Sequence, residues 1–175
     1  MIRSFRGVLP AIDPSTFIAE SADIIGDVTI GKDCSVWYNA VIRGDINAVR
    51  VGDSTNIQDG CIIHVRHGDF PCILGNSITV GHGAILHACT VEENCLIGMG
   101  AIVLDGALIR PYTLVAAGAM VREGGTFPEG SLVGGVPAKI LRRLTDEERR
   151  MIEESAKRYI DYARQYQTGA VKEGV

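Results

Sequence analysis

No apolar run in this chain approaches the ~18 residues that a helix needs to cross a membrane. No basic block is present either. The 17 lysines and arginines are outnumbered by 21 acidic residues, giving a net charge of −4 and a pI near 5.5, which argues against a nucleic-acid partner. The opening MIRSFRGVLP lacks the apolar core of a signal peptide, so the expected compartment is the cytoplasm. The 5 cysteines are odd in number and contain no CxxC pair, which leaves no evident disulfide framework. Histidine is scarce too: all 4 lie between residues 63 and 88.

What the chain does have is a six-residue period. Isoleucine, leucine or valine recurs in the runs Ile18, Ile24, Ile30, Val36, Ile42; Val51, Ile57, Ile63; Leu74, Val80, Leu86; and Val91, Ile97, Val103, Ile109, Val115, Val121, with Val133 two periods on. Glycine often follows, as in Ile30-Gly31, Val80-Gly81 and Ile97-Gly98. A small or apolar residue stands four places after the aliphatic one, for example Ala40, Cys61, Ala84 and Ala101. This period fits neither a 3.6-residue helix nor a sustained two-residue alternation. It fits a parallel β-helix of hexapeptide repeats with three short strands per coil. The aliphatic residue fills the interior, the small one fits near a corner, and Cys34, Cys61 and Cys95 in that slot read as small buried hydrophobes.

The period ends near GGVPAK (Gly134–Lys139). Thr145-Asp-Glu-Glu148 then reads as a capping box opening a helix. Ile152, Ala156, Tyr159, Ala163 and Tyr166 supply its apolar stripe. The expected organisation is a β-helix over 1–144 and a helix over 145–167 packed on it, with frayed residues beyond Gln167.

Three breaks in phase interrupt the repeat: Ile42 to Val51, Ile63 to Leu74, and Leu86 to Val91. The third could equally fall between Val80 and Ile85. Insertions in a solenoid become loops on one face, often the functional one. Counting strands, Ile42, Ile63 and Leu86 share one face, so Arg43, His64 and His87 form a column. His82 follows Val80 on a different face, near Gln58. Histidines on two faces of one prism do not converge on one ion. A closed trimer brings the His64/His87 face of one subunit to the His82 edge of the next. Three neutral imidazoles with an open fourth position make a catalytic zinc site.

The segments VIRGDI (Val41–Ile46), TNIQDG (Thr55–Gly60), IIHV (Ile62–Val65), VGHGAILHACT (Val80–Thr90) and IGMGAIVLDGA (Ile97–Ala107) resemble those of γ-class carbonic anhydrases. The resemblance runs from about residue 10 to residue 165. It implies a left-handed β-helix and a homotrimer, with Zn²⁺ (or Fe²⁺ or Co²⁺) held between subunits by His64, His87 and a neighbour's His82. It also implies reversible hydration of CO₂ to bicarbonate by hydroxide generated on the metal. Gln58 and Asn56 would orient the hydroxide and the CO₂ or bicarbonate, and Arg43 and Asp45 belong at the site or its interface. Arg43 is an anion anchor for bicarbonate, half of an interface salt bridge with Asp45 or Asp59, or both. Tyr159 matches a tyrosine that approaches the metal water, or it only packs.

One departure concerns the proton. The family's methanogen member has glutamates that export it, whereas here Ile46 follows Asp45 and the loop after His64 reads VRHGDFPC. His67 is a stand-in shuttle or an idle surface histidine. Two other functions share the repeat: an acyltransferase or thioesterase using a general-base histidine, and a non-catalytic trimeric scaffold.

Overall fold

The structure, a computed structural model, describes residues 1–68 and 70–169. The chain folds as a left-handed parallel β-helix of about 7 turns followed by one helix. Each coil has three short strands, and stacking them builds three flat faces. The first face carries Ile62–His64, Ile85–His87, Ile102–Val103 and Met120–Val121. The second carries Cys72–Leu74, Thr90–Val91, Leu108–Ile109 and Thr126–Phe127. Asn56–Ile57, Thr79–Val80, Leu96–Ile97 and Leu114–Val115 stand on the third. Two longer strands, Asp23–Ile30 and Val41–Val51, turn a corner and belong to both the first and second faces.

The six-residue period positions the core. Ile42 pairs with Ile63 and Ile63 with Leu86, so their side chains stack one coil apart, each fully buried. Val91 pairs with Leu74 and Ile109, which sets the third phase break after Leu86 rather than before it. Phe127 occupies the period between Val121 and Val133, pairing with Ile109 in an aliphatic position. The small-residue slot is also interior: Ala40, Cys61, Ala84, Cys95 and Ala101 are all fully buried. All 5 cysteines are free, and burial raises Cys34 and Cys61 to about 11 and Cys95 to about 12, so their thiolates are negligible at neutral pH.

Glycine after the aliphatic residue has a steric cause. A Cβ on Gly98 would lie 2.5 Å from the Ala117 backbone nitrogen in the next coil. Coils stack at the ordinary interstrand spacing and leave no room there for a side chain.

The solenoid closes with an antiparallel return. Ser131–Gly135 pairs with Ala138–Arg143, a strand the six-residue period does not announce. Helix α1, Asp146–Gln167, begins on the Thr145 capping box. Thr145 Oγ1 accepts from Glu148 N at 3.2 Å, while Glu148 Oε2 accepts from Thr145 N at 2.8 Å. It buries Ile152, Ala156 and Ala163 and packs across strands of the third face, including Asn56–Ile57 and Thr79–Val80. Tyr166, the last residue of the stripe, stays exposed. Thr168 and Gly169 form a turn after the helix, and 170–175 lie outside the described residues. Among the described residues no helix is long and apolar enough to cross a membrane.

Candidate metal centre

The strand register puts His64 directly beside His87, on adjacent coils of the first face. Their rings approach edge to edge, with His64 Nδ1 3.2 Å from His87 Nε2. The other nitrogen of each ring is taken by a carboxylate. His64 Nε2 is 3.1 Å from Asp45 Oδ1, and His87 Nδ1 bonds Asp105 Oδ1. Both carboxylates are themselves held by arginines: Arg43 bonds Asp45, and Arg66 Nη1 lies 3.1 Å from Asp105 Oδ2.

These contacts fix the protons. Burial pushes the Asp45 and Asp105 carboxyls up. Hydrogen bonds from His64 and Arg43, and from His87 and Arg66, outweigh it and hold both below the usual carboxylate range. An ionised carboxylate only accepts, so His64 carries its proton on Nε2 and His87 on Nδ1. With both rings neutral, the two remaining lone pairs face each other across 3.2 Å, a contact that a proton or a metal ion between them relieves. Two nitrogens bound to one tetrahedral zinc at ~2.1 Å stand about 3.4 Å apart, so the pair fits a shared ion.

His82 repeats the pattern on another edge. Its Nδ1 lies 2.8 Å from Asp59 Oδ2, leaving Nε2 without a carboxylate partner among the described residues, and its side chain is 48% exposed. It lies in the turn before the Ile85–His87 strand while His87 ends that strand, so the two stand at opposite ends of it. Among the described residues of one chain, no three His, Cys, Asp or Glu side chains are arranged to hold a metal ion. The chain therefore presents the His64/His87 pair at one edge of the first face and His82 alone at the other.

The other expected residues divide between these edges. Arg43 and Asp45 stand with His64. Gln58 stands with His82, accepting from the His82 backbone N–H through Oε1 at 3.2 Å. Gln58 Nε2 donates to Asn56 Oδ1 at 3.1 Å. Asn56 is almost fully buried, and both its N–H groups are occupied, by Ile78 O and Thr79 Oγ1. Tyr159 lines a hollow of about 370 Å³ with Trp37, Tyr38, Asp59, Tyr162 and Tyr166. Burial and then the nearby Asp59 charge raise its phenol pKa. His67 is exposed in the bend after His64, which Asn47 fixes by donating to Arg66 O and Gly68 O at 3.0 and 2.6 Å.

Asp105 and Arg66 were not singled out from the sequence. A signal existed. Val103 pairs with Leu86, so the turn beginning at Leu104 stacks on the His87 corner, and Asp105 is its acidic residue.

No protein-family model matches the chain. Gamma carbonic anhydrase 2, mitochondrial, of Arabidopsis thaliana is 46% identical over 159 residues. That match covers 88% of this chain and 57% of the plant protein, so the chain spans little more than half of that relative. A carbonic anhydrase of Geobacillus kaustophilus is 41% identical over 95% of this chain and 91% of its own length. Among solved structures, a hexapeptide transferase family protein from Anaplasma phagocytophilum superposes with a TM-score of 0.91. It is 42% identical, over 94% of this chain and 97% of that one. On these relatives, and with its fold and histidine pattern, the chain belongs to the γ-carbonic anhydrase family.

Proposed function

We propose that the protein is a carbonic anhydrase-like lyase that interconverts CO₂ and bicarbonate at metal sites shared between the subunits of a homotrimer. The observation that carries this reading is the trio of carboxylate-bound histidines. His64, His87 and His82 each give one ring nitrogen to an aspartate and keep the other for a ligand. That aspartate–histidine pairing is how proteins orient imidazoles toward a metal.

The first face supports trimer formation. Outward from the buried Ile42, Ile63, Leu86, Val103 and Val121 runs a second stacked column of Val41, Ile62, Ile85, Ile102 and Met120. Ile62 in that column is 44% exposed, and Met99, beside the His82 turn, is 59% exposed. Packing the column of one subunit against the His82 edge of the next would cover both and close the histidine trio.

Zn²⁺ fits three imidazoles, with Fe²⁺ or Co²⁺ as alternatives. When bound, such an ion lowers the pKa of a water to about 7 and so supplies hydroxide at neutral pH. The protein's part is orientation. Asp45, Asp105 and Asp59 hold the three rings in one tautomer each. Gln58 retains one N–H and one lone pair beyond its bonds to Asn56 and His82, enough to orient a hydroxide and a bicarbonate oxygen. Asn56 acts through Gln58. Arg43, bonded to Asp45 in its own subunit, supports the His64 ring and adds positive charge for an anionic product. Tyr159 closes the His82 side. A reducing compartment such as the cytoplasm suits a chain whose cysteines are all free.

Stopped-flow CO₂ hydration on trimer loaded separately with Zn²⁺, Fe²⁺ and Co²⁺ tests this reading. Turnover that disappears on chelation and returns with metal is expected. A fully metallated trimer without hydration would overturn it and direct attention to acyl thioesters.

A further inference from the structure

The side chains of Ser155, Thr79, Asn56 and Gln58 form one hydrogen-bonded chain from helix α1 to the His82 turn. Thr79 Oγ1 lies 3.1 Å from Ser155 Oγ and accepts from Asn56 Nδ2 at 2.9 Å. Asn56 Oδ1 accepts from Gln58 Nε2 at 3.1 Å, and Gln58 Oε1 accepts from His82 N at 3.2 Å. Thr79, Asn56 and Gln58 are 3%, 1% and 5% exposed, so water does not compete for these groups.

The polarity of the chain is set independently from both ends. Ile78 O, 3.3 Å from Asn56 Nδ2, can only accept, so Asn56 turns its NH₂ toward Ile78 and Thr79 and its oxygen toward Gln58. At the other end the His82 backbone N–H can only donate, so Gln58 turns its oxygen there and its NH₂ toward Asn56. Both ends demand the same arrangement. Thr79, having accepted from Asn56, has its proton left for Ser155. A flipped Gln58 would set oxygen against oxygen and nitrogen against nitrogen, at the cost of two buried hydrogen bonds.

We propose that Thr79 and Ser155 are positioning residues for the reaction: by taking the second Asn56 N–H they hold the Asn56 and Gln58 amides in the arrangement that Ile78 O and the His82 N–H select. Docking of α1 then tightens the orientation of the site amide. The helix is the far anchor of a group at the metal edge rather than a lid on the solenoid. The catalytic part of this inference rests on the proposed CO₂ chemistry; the amide orientation does not.

The test uses ¹⁵N spectra of the metal-free full chain, with the Asn56 and Gln58 side-chain NH₂ pairs assigned by substitution. Thr79→Val keeps shape and removes the hydroxyl. The expected result is a shift of both pairs with loss of their slow hydrogen exchange. Thr79→Ser should restore both properties. Ser155→Ala should give a smaller change of the same sign, reversed in Ser155→Thr, and it carries the test if Thr79→Val does not fold. In the metal-loaded enzyme, kcat should fall on the order of ten-fold with Thr79→Val, while KM and metal content hold. Unmoved NH₂ pairs in a folded variant, or no recovery with serine at 79, would overturn the inference. Absent turnover in the wild type would remove the proposed reaction while the spectra still decide the orientation.

Discussion

At the residue scale, the protein's chemistry lies in what stands behind each histidine. An imidazole that shares its proton between two nitrogens is a poor ligand; one whose proton is pinned by an ionised carboxylate offers a fixed lone pair. Asp105 does this for His87 and is kept ionised, despite its burial, first by the His87 contact and then by Arg66. Asp105→Asn should keep the side-chain volume, remove the charge and weaken metal binding about 10–100-fold, measured by competition with a chromophoric chelator. Affinity equal to wild type would mean that the His87 orientation does not depend on this contact. The histidines themselves were legible because four of them crowd one interrupted stretch of repeat. Asp105 and Thr79 were not. Their partners lie one coil away, so adjacency in the chain hides them, and only the strand register reveals the contacts.

At the element scale, the strands are too short to be found by alternation, most having two or three residues, yet the six-residue period sets their register. The aliphatic positions mark the interior because a one-residue slip would turn every inward side chain outward. Phe127 escaped that pattern because it is aromatic, and Ala138–Arg143 escaped it because an antiparallel return has no six-residue period. Helix α1 was legible from its capping box and stripe, although Tyr159 and Tyr166 lie at its aromatic hollow rather than in its buried seam. The tight coil spacing yields an expectation of its own. Gly98→Ala places a methyl against the Ala117 backbone and should cost about 1–3 kcal/mol, read as a lower denaturation midpoint. An unchanged midpoint would show that the coils separate there more readily than their hydrogen bonds suggest.

At the scale of the whole molecule, the His64/His87 pair and His82 stand at opposite edges of the first face, with a partly exposed apolar column between them. In the proposed trimer, cyclic assembly would complete one three-histidine site at each interface, as many sites as subunits. This division was legible in the sequence from the strand count alone, since Val80 and Leu86 belong to successive faces. What the sequence could not supply was the tautomer of each ring, which depends on carboxylates from other coils.

The most direct check is to mix two variants, His64→Ala and His82→Ala, each expected to bind no metal alone, and to measure metal and CO₂ hydration in verified mixed trimers. In either mixed composition one interface joins an intact His64/His87 edge to an intact His82 edge, so about one third of the wild-type metal and turnover per trimer should return. Mixed trimers that stay metal-free and inactive, or either variant retaining full metal on its own, would contradict a site shared between subunits.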